Sequence, residues 1–205
     1  MLREIIDTIE FLDDASNGAT AFRDKLPDGD YSVEITPFKS DLGTTEFIKV
    51  LFPGSAGKSA GGTAPTMGII GSNGGLRLPG PYPGLASDAD GCIVGLAAAL
   101  RLARMRTRGQ QLAGDVLVST HICQQARPVP HDPFPFVMSP LPSSEKHPRL
   151  VDTRMDAVLT PETCKGNKMV AHLGFAVTPP VREGIILRPH ASILHLVEMV
   201  TGKSP

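Results

Sequence analysis

Residues 92–105, CIVGLAAALRLARM, and residues 115–123, DVLVSTHIC, decide the fold. The first stretch is almost wholly apolar through its opening half, which predicts a helix lying on a sheet rather than in water. The second opens with DVLVS, a short unbroken apolar run of the kind that fills the inside of a parallel sheet. A buried helix feeding a buried strand is half of a crossover unit, and it predicts an α/β protein.

The pattern extends in both directions. Leu2, Ile5, Ile6, Ile9 and Leu12 fall at helical spacing with acids between them, predicting an N-terminal amphipathic helix. A second short helix is expected from Thr20 to Leu26. Tyr31, Val33 and Ile35 alternate with Ser32 and Glu34 as a half-buried strand does, and residues 45–52, TEFIKVLF, form the next strand before the Pro53-Gly54 turn. Residues 54–65 are a loop rich in Gly, Ser and Ala. Met67–Ile70 reads as a short strand, and three prolines make residues 76–83 a loop. Downstream, residues 128–142 carry six prolines and cannot be helix or central strand. Residues 156–159, DAVL, predict another buried strand, residues 169–177 one or two more, and residues 191–200 a closing amphipathic helix. The expected architecture is a single α/β domain over residues 1–205, a three-layer sandwich with a mixed, mostly parallel central sheet.

Composition narrows the function classes. The chain has 205 residues, 41% of them hydrophobic, with no Trp and 5% aromatic residues, so its core must be aliphatic. Twenty basic residues stand against 21 acidic ones. The nearest thing to a basic cluster is Arg101, Arg104, Arg106 and Arg108, on the predicted helix and its end, where cations suit the dipole. That predicts a solvated helix face and no nucleic-acid partner. Cys92, Cys123 and Cys164 are too few and too scattered for a disulfide framework, so reduced thiols are expected. No charge-free apolar run approaches the ~18 residues that a membrane span needs, and MLREIIDTIEFLDD is too acidic for a signal peptide. A cytoplasmic protein without membrane contact is expected.

Two places carry candidate chemistry. Gly57-Lys58-Ser59 resembles the end of a phosphate-binding loop, but the motif requires glycine at position 52, where Phe52 stands. A mobile or substrate-facing glycine loop is the better expectation. The stronger signal is Ser87-Asp88-Ala89-Asp90-Gly91 just before the apolar helix, together with Thr120-His121-Ile122-Cys123 at the end of the strand. Ligands of open α/β sheets bind at the carboxyl ends of strands. Asp88 and His121 can therefore share one rim, and a carboxylate with an imidazole suits a divalent metal such as zinc. Glu162, after the strand DAVL, is a third polar group on that edge, with Lys165 beside it. The plainer alternative stays open, in which Asp88 or Asp90 caps the helix and His121 is a hydrogen-bonded histidine at a strand end. His131-Asp132, set among prolines, is either a ligand loop or a rigid turn, and buried Cys123 and Cys164 are expected to act as small hydrophobes.

The segments GKSAGGTAPTMGIIG, SDADG, GDVLVSTHIC, PHDPFPF, ETCKGN and GFAVTPPVREGIILR, taken in order, resemble the domain of unknown function 1177 family, bacterial proteins of unassigned activity. That resemblance implies further strands beyond Pro205, so that the chain lacks the C-terminal third of the full-length family. More distantly, ASDADGCIVGLAAAL and DVLVSTHICQQA are similar to the co-catalytic zinc aminopeptidases. This implies a zinc-peptidase-like fold, Asp88 at the bridging position and Glu162 near a carboxylate ligand. Thr120-His121 stand where that family has paired glutamates, and TMGIIGSNGG lacks its early histidine-x-aspartate pair.

The expectation for function is a metal-dependent hydrolase of small amide or peptide-like substrates, with zinc or another divalent metal held by Asp88, Asp90, His121 and Glu162. His121 or Glu162 would serve as the catalytic base. The alternative is a non-catalytic protein that binds a small molecule on a hydrolase-like fold, and a third class is a structural partner. The apolar face of the last helix (Ile193, Leu194, Leu196, Val197, Val200) predicts a homo-oligomer.

Overall fold

The structure, a computed structural model, describes residues 1–205 except 78–84, 86–88, 125, 133–134, 164–173 and the side chain of Phe136. The chain divides into two compact units, Met1–Thr163 and Cys164–Pro205.

In the first unit α1 (Leu2–Asp13) and α2 (Ala19–Lys25) precede a long hairpin of β1 (Ser32–Ser40) and β2 (Gly43–Phe52). A short strand β3 (Met67–Gly71), the helix α3 (Asp90–Arg106) and β4 (Val116–Ile122) follow. Then come a small ribbon of β5 (Pro128–Val129) and β6 (Phe136–Val137), the helix α4 (Ser143–Leu150) and β7 (Ala157–Leu159). Five strands form one sheet in the order β1-β2-β4-β3-β7. The sheet is mixed, but it is not mostly parallel. β1/β2 and β2/β4 run antiparallel, whereas β3/β4 and β3/β7 run parallel. The hairpin is the cause: it adds two antiparallel strands on one side of β4, and only the strands joined through helices can be parallel. β1 is the edge strand, which is why it tolerates Pro37.

Alternation along the strands sorts the core into two faces. Ile48, Val50 and Phe52 of β2 and Val116, Val118 and Ile122 of β4 pack against Leu96 and Leu100 of α3, with Leu12 and Phe22 from α1 and α2 completing the cluster. On the other face, Phe47 of β2 and Ile70 of β3 pack against Leu150 of α4. α4 was not expected: SSEKHPRL has no apolar period, and one fully buried residue, Leu150, docks it. α1 is clamped to α3 by Arg104, whose guanidinium lies 3.2 Å from Glu4 and 2.5 Å from Asp7.

The glycine-rich loop is closed by a carboxylate. Asp115, at the entrance to β4, accepts hydrogen bonds from the Gly54 amide at 2.7 Å, the Ser59 amide at 2.9 Å and the Ser59 hydroxyl at 2.7 Å. The loop therefore carries its own anion where the phosphate-loop likeness would place a ligand. Burial alone would raise the Asp115 pKa, but these donors hold it below the ordinary carboxylate value.

The second unit contains the hairpin β8 (Val181–Arg182) and β9 (Ile185–Ile186) and the helix α5 (Ala191–Thr201). Glu183 and Gly184 make the turn with φ of 51° and 83°, the two left-handed positions that a tight two-residue hairpin needs. The strands expected at 169–177 fall largely outside the described residues.

Candidate functional site

The rim expected to hold the site is built by backbone contact. Gly91 in the first turn of α3 presses on the segments leaving β3 and β7: a Cβ there would lie 2.6 Å from the Ser72 carbonyl oxygen and 3.1 Å from that of Pro161. Only glycine allows this approach, and it draws the ends of β3, β7 and α3 to one place. Asp90 and Glu162 are both exposed there. The Thr163 hydroxyl donates to Asp90 Oδ2 at 3.1 Å, so the segment carrying Glu162 meets the first turn of α3. Asp88 and Lys165 lie outside the described residues. Ala89 at the N-cap offers the helix no side-chain cap, and Asp90 does not supply one.

His121 is not brought to this group. Strand alternation turns Thr120 toward α3, where its hydroxyl donates to the Gly71 carbonyl at 2.6 Å, and turns His121 to the face covered by α4. The His121 side chain is fully buried. Its Nδ1 lies 2.9 Å from Thr45 Oγ1 and its Nε2 lies 3.1 Å from the Asn73 carbonyl oxygen. With the proton on Nε2, the ring donates to Asn73 and accepts from Thr45. Its ring stacks on Phe47 with centroids 5.3 Å apart. Burial, together with the nearby Lys146 ammonium, pushes its pKa down to about 3. This imidazole is a neutral brace that ties β2, β4 and the end of β3 together. Burial likewise pushes the Cys92 thiol up to about 11 and the Cys123 thiol up to about 12, so both stay un-ionised, as small buried groups do. Among the described residues, no three His, Cys, Asp or Glu side chains gather as a metal-ligand group.

A second feature, with no signal in the sequence, lies on the α4 face. A groove of about 190 Å³, open to solvent, is lined by Glu34 and Thr36 of β1, Phe47 and Lys49 of β2, and Pro148 and Arg149 of α4. Glu34 stands directly opposite Lys49 in the β1/β2 register, a cross-strand pair of opposite charge. The pair is not made. Lys49 reaches instead to Asp152, 3.0 Å away, and Asp152 is also gripped by Arg154 at 2.8 Å, which with Lys49 holds its pKa far below the ordinary value. The Arg149 guanidinium lies 5.0 Å from the ring of Phe38 and 5.9 Å from that of Phe47. Among the described residues neither Glu34 nor Arg149 has a hydrogen bond or ion pair with the protein.

The sequence over residues 36–205 matches the family described as Protein of unknown function (DUF1177). The chain belongs to that family. The match covers both faces of the rim, β2, and the whole of α4, and leaves α1 and α2 outside it. No curated protein matches the chain. Among the described residues, no helix is long and apolar enough to cross a membrane. DUF1177 membership thus accounts for the segments quoted above without assigning them a reaction.

Proposed function

We propose that this DUF1177 domain is a non-catalytic protein that binds a small polar molecule on a hydrolase-like, three-layer α/β fold. The observation that carries this is the groove, in which a carboxylate and a guanidinium face one cavity and neither is taken up by a hydrogen bond or direct ion pair among the described residues. Its volume, about 190 Å³, lies below the roughly 300–1,000 Å³ of drug-sized sites, which restricts it to a small molecule. His121 supports the same view, because the one imidazole expected to do chemistry has both nitrogens committed to protein groups. The test is a thermal-shift screen of charged metabolites against the full chain. A ligand at about a hundred times its Kd adds about 2.7 kcal/mol of stability, so at least one compound should raise the melting temperature by several degrees. If no charged metabolite raises it, the binding function is wrong.

One observation favours a second reading, the metal-dependent hydrolase of small amide or peptide-like substrates. The Thr163–Asp90 contact sets the exposed carboxylates of Asp90 and Glu162 on one rim, beside the segment that carries Asp88. Carboxylate oxygens of this kind fit zinc or another divalent ion, whereas His121 as placed does not. Such an ion would supply a water of lowered pKa, and Glu162 would then hold the proton taken from it. Metal analysis after zinc addition separates the two readings. Stoichiometric zinc that is lost in Asp88→Ala, with the fold intact by circular dichroism, establishes the hydrolase reading. Substoichiometric zinc, equal in the wild type and the variant, rejects it.

A further inference from the structure

We infer that the ligand of the α4 groove is a small zwitterion of the α-amino-acid class, an inference that rests on the binding function proposed above. The charges lining the groove decide the class. Lys49 is paired with Asp152, which it shares with Arg154, so among the lining residues Glu34 is the negative group and Arg149 the positive group without a direct ion pair, and Arg154 acts on Glu34 only through space. A simple anion would satisfy Arg149 but meet Glu34 as a like charge, and a simple cation would do the reverse. A molecule bearing both charges a few atoms apart satisfies both at once.

The donors and walls fit the same chemistry. A guanidinium presents two parallel N–H groups to a carboxylate, and the contacts of Arg149 with the Phe38 and Phe47 rings hold it at the groove before any ligand arrives. Glu34 accepts the ammonium hydrogens. Thr36, one position further along the same face of β1, adds a hydroxyl, while the almost wholly buried Phe47 ring forms the back wall of a mainly polar groove. Phe47 also stacks on His121, so the wall is anchored to the buried brace rather than to a mobile loop.

Calorimetric titration of the full chain with L-leucine, L-leucinamide and 4-methylpentanoate tests the inference. These three share a side chain and differ in charge. L-leucine is expected to bind, and each singly charged analogue to bind about tenfold or more weakly, the cost of one lost charged hydrogen bond. E34Q and R149A should each weaken leucine to a similar degree, with the fold of each variant checked by circular dichroism, since both side chains are exposed and neither is in a direct ion pair. If 4-methylpentanoate binds as tightly as leucine, or E34Q binds leucine like the wild type, the zwitterion is wrong while small-molecule binding stands. If none of the three binds, the inference is likewise overturned. Whether the binding function itself survives is then read from the metabolite screen.

Discussion

Burial holds the His121 imidazole neutral in the folded chain down to about pH 3, whereas the same group in an unfolded chain protonates near its ordinary value of 6.5. Below that value the unfolded state binds the extra proton, so acidification favours unfolding. The contribution is complete above pH 6.5 and is lost progressively as pH falls toward 3, at about 1.4 kcal/mol per pH unit. Urea unfolding measured from pH 7.5 to 5 should show this slope in the wild type and lack it in His121→Gln, with Lys146 the charged neighbour common to both. The variant should also be less stable at pH 7.5, because glutamine cannot span Thr45 and Asn73 together. The sequence marked His121 correctly as a polar residue at a strand's end. It could not show which sheet face the ring takes, since that depends on the register of β4 against β2. Glu34 and Arg149 were invisible for the same reason: their shared cavity exists only once β1, β2 and α4 are assembled.

Elements were legible where periodicity was strong. α1, α3, β2 and β4 lie within a few residues of their expected bounds, because each carries an apolar face long enough to set a period. α4 lacked one, and the anchor of the glycine-rich loop, Asp115, could not be read because it lies far along the chain. That carboxylate gathers backbone donors that no other group could satisfy in place. Asp115→Ala should therefore cost about 2 kcal/mol or more, read as a lowered denaturation midpoint, with increased protease cleavage between Gly54 and Pro65. A wild-type midpoint would mean that water replaces the carboxylate without loss, and the loop would then owe its shape to its glycines.

At the scale of the molecule, the unit Cys164–Pro205 exposes the apolar residues Leu196, Met199 and Val200 of α5, the last at 77% of its full surface, and Ile185 and Ile186 of β9. We propose that a second copy of the chain covers them, since exposed apolar area of this kind seldom stays bare. Sedimentation at tens of micromolar should give a dimer, and Leu196→Glu a monomer; a wild-type monomer at that concentration would dismiss the homo-oligomer. The α/β class was legible from the alternation of apolar helix and strand. The strand order was not, because nothing local tells β7 to bypass β4 and settle against β3. That placement matters during synthesis. β3 spans Met67–Gly71, yet one of its two partners is Ala157–Leu159, so a ribosome must make most of the first unit before that flank of β3 can be sealed. Until then the nascent polypeptide shows a bare ladder of amides and carbonyls to every neighbouring chain. Stalling in this interval is when aggregation is most dangerous to it and when a chaperone has most to do.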